Sequence, residues 1–117
     1  MELTLDQALQ KGIEAHKAGK AQEADRYYTA ILKSQPNHPD ANHNMGVLAV
    51  GVGKVEQALP FFKAALEENP KIEQYWLSYI DSLVKIGRIF DARKVLLEAK
   101  QSGLSSDKIN SISAQLN

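Results

Sequence analysis

Apolar residues in this chain return every three or four positions, and glycine and proline divide them into separate runs. That period puts each run on one side of a helix, and the strict alternation of a half-buried strand is missing. Thr4-x-x-Gln7 has the spacing of a capping box, which predicts a first helix running to about Ala18. Gly19-Lys20 makes a turn, and a second helix runs from about Ala21 to Ser34. Pro36 blocks its continuation, while Pro39 suits the first turn of a third helix, capped by His38 or Asn37 and ending near Val52. Gly53-Lys54 turns into a fourth helix that ends near Asn69-Pro70. Pro60 lies inside it, where the missing backbone donor predicts a local kink rather than a break. Helices near Glu73 to Ile86 and Ile89 to Ser102 follow, with Gly103 as the left-handed residue after the last turn. Ser105-Ser106-Asp107 then caps a short helix at about 106–116, whose Ile109, Ile112 and Leu116 share one face. The pattern predicts an all-α chain of seven helices without a sheet.

These runs are copies of one unit. Gly19, Gly53 and Gly87 stand 34 residues apart, and Ala24, Ala58 and Ala92 follow five residues behind them. Tyr28, Phe62 and Leu96 come four residues later, and Pro36 matches Pro70. A fixed period of this length means one supersecondary unit repeated along the chain, with stacking between copies supplying the core.

The columns resemble the tetratricopeptide repeat pattern of Trp-x2-Leu-Gly-x2-Tyr, then Ala-x3-Phe, then Pro. The second copy reads Met45-Gly46-x2-Ala49, then Ala58-x3-Phe62, Ala65 and Pro70. The third reads Trp76-x2-Tyr79, Leu83, Ala92-x3-Leu96 and Ala99, with Ile80 in place of the small glycine and Leu104 in place of proline. The first has Gly12, Ala15, Ala24-x3-Tyr28, Ile31 and Pro36, with Lys11 where leucine is expected. The resemblance implies three tandem helix-turn-helix units at about 5–38, 39–72 and 73–106, wound into a right-handed superhelical solenoid. The last helix then caps the stack, within a single domain spanning 1–117. The segment Ile72-Glu73-Gln74-Tyr75-Trp76-Leu77-Ser78-Tyr79-Ile80-Asp81 is similar to bacterial repeat regions placed ahead of glycosyl-, sulfo- or methyltransferase domains. That similarity implies the presentation of substrate proteins to a catalytic domain.

Composition narrows the partners. Fourteen basic and fourteen acidic residues cancel, so nothing steers the chain toward a phosphate backbone or an anionic membrane. With no cysteine, disulfide and thiol chemistry are excluded, which fits a reducing, cytoplasmic setting. Met1-Glu2-Leu3-Thr4 lacks the basic start and apolar core of a signal peptide, and no apolar run approaches a membrane span.

Candidate chemistry is sparse. Asp40 and His43 lie three apart on one helix face, with His16 in reach of the same valley, but no helix offers histidines at i and i+4. Solvated polar side chains are the expectation there, with neither metal nor cofactor. No nucleophile, base and orienting acid stand at a recognisable spacing. Gly51-Val52-Gly53-Lys54 lacks the strand and remaining glycines of a phosphate loop and is read as a turn. The chain is expected not to be an enzyme.

In the resembled family the first helix of each repeat lines a concave groove that holds a peptide. Carried onto this sequence, the first copy supplies Leu9, Ile13, His16 and Lys17, beside Asp6 and Gln10. The second supplies Asp40, His43, Asn44, Val47 and Val50, beside Gly51, and the third Gln74, Leu77, Ser78, Asp81, Val84 and Lys85. One subclass clamps the carboxylate of chaperone C-terminal tails with lysines, asparagines and an arginine. Those places here carry Leu9, Ile13, Asn44, Gln74 and Ser78, and only Asn44 matches. Chaperone tails are therefore disfavoured, because a carboxylate needs charge-assisted donors to replace its water. What remains is an aliphatic strip of Leu9, Ile13, Val47, Val50, Leu77 and Val84, which is either open to a protein or peptide partner or already covered by neighbouring helices. Phe90 stands where the other copies have Gln22 and Glu56. Self-association through this ring competes with a lone exposed aromatic that needs no partner.

Overall fold

The computed structural model describes residues 3–116. Seven helices follow one another: α1 (Leu5–Lys17), α2 (Ala21–Ser34), α3 (Pro39–Gly51), α4 (Val55–Glu68), α5 (Glu73–Lys85), α6 (Ile89–Gln101) and α7 (Asp107–Leu116). Among the described residues there is no strand, and no helix is long and apolar enough to cross a membrane. The array measures 51 × 27 × 21 Å, the elongated outline of units stacked in one direction.

Local chemistry sets the helix ends. Thr4 Oγ1 accepts from the Gln7 N–H at 3.1 Å while Gln7 Oε1 accepts from the Thr4 N–H at 2.9 Å, completing the capping box. At α3 the cap is His38, whose Nδ1 accepts from the Ala41 N–H at 3.1 Å, with Pro39 in the first turn. Helices α1, α3 and α5 close alike, with Lys20, Lys54 and Arg88 donating to the carbonyls of Ala15, Ala49 and Leu83 at 2.9, 2.8 and 2.8 Å. Those closures require a left-handed residue, and Gly19, Gly53 and Gly87 supply it at φ 78, 82 and 79°. Helix α4 runs unbroken through Pro60, which is exposed and lacks the N–H that would bond the carbonyl one turn back.

A column of donors joins the second repeat, the third repeat and α7 to the loops before them. Asn42 Nδ2 donates to the Pro36 carbonyl at 3.0 Å, and Trp76 Nε1, 34 residues on, donates to the Pro70 carbonyl at 2.8 Å. Asn110, another 34 residues on, donates to the Ser105 carbonyl at 3.2 Å. Helix α7 therefore occupies the place of a fourth repeat's first helix.

The core follows the columns. Ala24, Ala58 and Ala92 are all 0% exposed, since helices approach there too closely for a larger side chain. Each of the first two repeats also pairs a glycine with an aromatic ring. A methyl group on Gly12 would lie 2.5 Å from Tyr28, and one on Gly46 would lie 2.5 Å from Phe62. In the third repeat Ile80 faces the smaller Leu96, so volume moves from one helix to the other. One continuous core runs from Leu59 to Leu116 and takes in Ile109, with Ile112 packed on its edge. Helix α7 is held further by Arg93 Nε donating to the Leu116 carbonyl at 2.5 Å and by Lys100 Nζ donating to Ser113 Oγ at 2.7 Å.

Candidate functional site

Helix α1 meets α3 and α3 meets α5, whereas α2, α4 and α6 make no comparable contact with one another. The odd-numbered helices therefore lie on the inside of the curve, the side on which the sequence places the groove. Along it Leu9, Ile13, His16, His43, Asn44, Val47, Val50, Leu77 and Ser78 are half-buried. Lys17, Asp40, Gln74, Asp81, Val84 and Lys85 are exposed. Leu9 and Leu77 rest one side on core clusters, and Val84 keeps 36% of its surface in water. The strip is thus neither sealed by neighbouring helices nor wholly open.

Two polar links cross from the second repeat to the third at a step of 35 residues. The Tyr75 hydroxyl donates to Asp40 Oδ1, and His43 Nε2 is paired with Ser78 Oγ at 2.8 Å. Gln74 Nε2 donates to the same Ser78 oxygen at 3.2 Å, so the Ser78 hydroxyl joins Gln74 and His43. The His43 ring lies between Tyr75 and Phe62, with centroids 4.9 and 5.5 Å away. Burial lowers its pKa, against the opposing influence of Asn44 and the Asp40 charge, and so favours the neutral ring. Burial and the Asp40 carboxylate hold the Tyr75 phenol well above the usual tyrosine range. At the rim, Lys85 Nζ meets Asp81 Oδ2 at 3.2 Å.

Asp40 and His43 are thus engaged in structural links. His16 does not complete a ligand set with them, because among the described residues no three His, Asp or Glu side chains converge. Sequence reasoning missed the buried Tyr75 as the partner of Asp40, and read α7 only as a cap. Helix α7 packs chiefly on α6 and leaves a cleft of about 550 Å³ against α5. Gln74, Leu77, Ser78 and Asp81 form one wall of it, and Lys108, Ser111, Ile112 and Gln115 the other. The 34-residue step was the available signal, since it carries Gln74 onto Lys108 and Leu77 onto Ser111. Phe90 is 87% exposed, and the final helix does not cover it.

Known proteins agree with this geometry. The photosystem I assembly protein Ycf3 of Prochlorococcus marinus strain NATL1A is 38% identical over 64 residues, which are 52% of this chain and 37% of the relative. The chain thus covers little more than a third of that relative's length. Among solved structures, the TPR2B domain of yeast Sti1, in complex with pHsp70, superposes with a TM-score of 0.82 at 16% identity, over 96% of this chain and 94% of that one. The Yersinia enterocolitica type III secretion chaperone SycD, in complex with a peptide of the translocator YopD, gives 0.80 at 15% identity, over 99% and 88%. The Thermobaculum terrenum O-GlcNAc transferase gives 0.75 at 21% identity, over 86% of this chain and 20% of the enzyme. The family profile described as tetratricopeptide repeat matches residues 15–76, more than half of the sequence, and the chain belongs to that family.

Proposed function

We propose that this chain is a non-catalytic interaction scaffold that holds a segment of a partner protein in the groove lined by α1, α3, α5 and α7. The observation that carries the proposal is the aliphatic strip on the inner face, half-buried from Leu9 to Leu77 and exposed at Val84. Burying one such side chain fully contributes about 1.5–3 kcal/mol, so completing the burial of several supports binding in about the micromolar range. The structures of Sti1 and SycD, both solved with protein segments bound, support the same use of this fold. The occupant differs from an acidic tail. Leu9 and Ile13 offer a carboxylate no donor, and the Ser78 hydroxyl is engaged with His43. The ligand is an apolar or amphipathic segment whose spaced side chains reach between repeats. From the Ycf3 relatives, named for photosystem I assembly, and from the transferase neighbour we take one role, that of holding one protein against another.

A peptide-library pull-down with wild type, Leu77→Asp and Asn44→Ala tests this. Leu77→Asp abolishes capture and Asn44→Ala does little. Selection of acidic C-terminal tails, or loss of capture at about 0.5 M salt, would show that charge governs this face. A second use is favoured by one observation. Phe90 and Leu97, seven residues apart on α6, are 87% and 56% exposed, which suits association between copies. Mass in solution of wild type and Phe90→Ser separates that use from groove binding.

A further inference from the structure

We infer that α6 and α7 together form the seat of one further helix, and that its occupant is an acidic amphipathic helix of a partner protein. The seat lies at the end of the array and does not depend on the groove. It also gives the Phe90–Leu97 stripe an occupant other than a second copy.

Helix α7 has the place of a first helix, and among the described residues no second helix follows it. In the three repeats the column Gly12, Gly46 and Ile80 is buried. At Gly12 and Gly46 the covering group is a ring of the repeat's own second helix, Tyr28 or Phe62. The next member of that column is Ala114, and it is exposed. Ala8, Asn42 and Trp76 are likewise buried, whereas Asn110 in their column is exposed.

Helix α6 supplies the other half of the seat. On α2, Gln22, Asp25 and Thr29 border a cleft whose far wall is Lys54, Gln57 and Phe61 of α4, the next second helix. Two repeats on, those α2 positions become Phe90, Arg93 and Leu97, all exposed. The internal copies are polar at the outer two places, with Gln22 and Thr29 on α2 and Glu56 and Lys63 on α4. The last copy is apolar there, with Phe90 87% and Leu97 56% exposed. An array that ends in water carries a polar outer face. Here apolar groups stand where the next second helix would pack, so the seat continues an interface already made between α2 and α4 and between α4 and α6.

Charge and size define the occupant. Arg93 and Lys100, the latter in the column of Leu66, border the seat, and among the described residues neither meets an Asp or Glu side chain. The acids of α6, Asp91 and Glu98, line the cleft on the α4 side, and Asp107 of α7 lines the cleft against α5. Carboxylates on the occupant would therefore meet bases and no acid. Gly46 receives the Phe62 ring, and Ile80 faces Leu96. Ala114 is intermediate in size, so a leucine fits over it. A second copy has no free helix of this kind, because its α2, α4 and α6 are each packed in their own repeats.

The probe is acetyl-Val-Glu-Glu-Ala-Leu-Glu-Leu-Leu-Glu-Ala-Ala-Leu-Glu-Glu-amide, which keeps the Ala-x3-Leu-x2-Ala spacing of a second helix. It is titrated into the 15N-labelled full chain beside a peptide with Lys at every Glu. Amide shifts are expected at Phe90, Leu97, Ser113 and Ala114, with at least about fivefold weaker binding of the Lys peptide. Phe90→Ser should weaken binding by about tenfold. Ala114→Glu should abolish it, and since both positions are exposed the thermal midpoint should stay in place in both variants. Shifts confined to Leu9, Val47 and Leu77 would overturn the seat and leave the groove reading standing. Absence of shifts, or equal binding of the Lys peptide, would overturn the seat or its chemistry respectively. A wild-type dimer that Phe90→Ser converts to monomer would assign the stripe to a second copy and overturn the inference.

Discussion

The pairing of glycine with an aromatic ring lets one substitution be made twice in the same helix with opposite results. In Gly46→Ala the new methyl group would stand 2.5 Å from Phe62 Cε1 and 2.7 Å from Cδ1, where ordinary contact begins near 3.4 Å. The ring must move by about 0.9 Å, the difference between those distances, but Phe62 is 1% exposed and has His43 against it at 5.5 Å. Overpacking of this kind costs about 1–3 kcal/mol. The gain from replacing a helical glycine by alanine returns about 0.5–1 kcal/mol. The expected net loss is about 0–2.5 kcal/mol, centred on about 1 kcal/mol, which lowers the thermal midpoint by several degrees in a domain of this size. Gly51→Ala, at the end of the same helix, meets nothing within 4 Å, so only the helical gain of up to about 1 kcal/mol remains. The third repeat suggests the rescue, because Leu96 there leaves room for Ile80. Gly46→Ala combined with Phe62→Leu should be less damaging than the sum of the two changes by about 1 kcal/mol or more. Urea unfolding followed by circular dichroism, at constant slope, measures all four variants. Additivity within about 0.5 kcal/mol, or a Gly46→Ala variant as stable as Gly51→Ala, would refute the steric account.

Three further outcomes follow from the packing and from the His43 environment. Ala58→Leu, at a position with 0% exposure, should cost about 1–3 kcal/mol in the same urea assay. Deleting everything after Ser102 removes Ile109 and Leu116 from the core and should lower the midpoint by several degrees per kcal/mol lost, whereas an unchanged melting curve would make α7 a loose tail. His43 has a folded pKa below its ordinary 6.5, so the unfolded chain binds its proton more readily. Its contribution is present above pH 6.5 and is lost as pH falls through the lower folded value, so the melting midpoint of wild type should drop more steeply below pH 6.5 than that of His43→Gln. Parallel slopes in the two proteins would remove His43 as the cause.

The sequence by itself determined what depends on neighbours along the chain. Helix spans came from the three-and-four spacing of apolar residues, and their ends from Thr4, Pro39 and the left-handed glycines. Burial of the alanine columns was legible because a residue kept small at a fixed period marks close helix approach. Tertiary structure alone decided what depends on register between helices. Asp40–Tyr75 and His43–Ser78 join residues 35 apart, one more than the repeat, and that offset is set by how neighbouring repeats stack. The donor column of Asn42, Trp76 and Asn110 escaped notice because Trp76 interrupts two asparagines and shares with them only an N–H group. Helix α7 is amphipathic on either account, and its pattern says that it packs without saying against what. Its docking on α6 leaves the cleft beside Leu77, because side chains one repeat apart become neighbours only once the stack has closed.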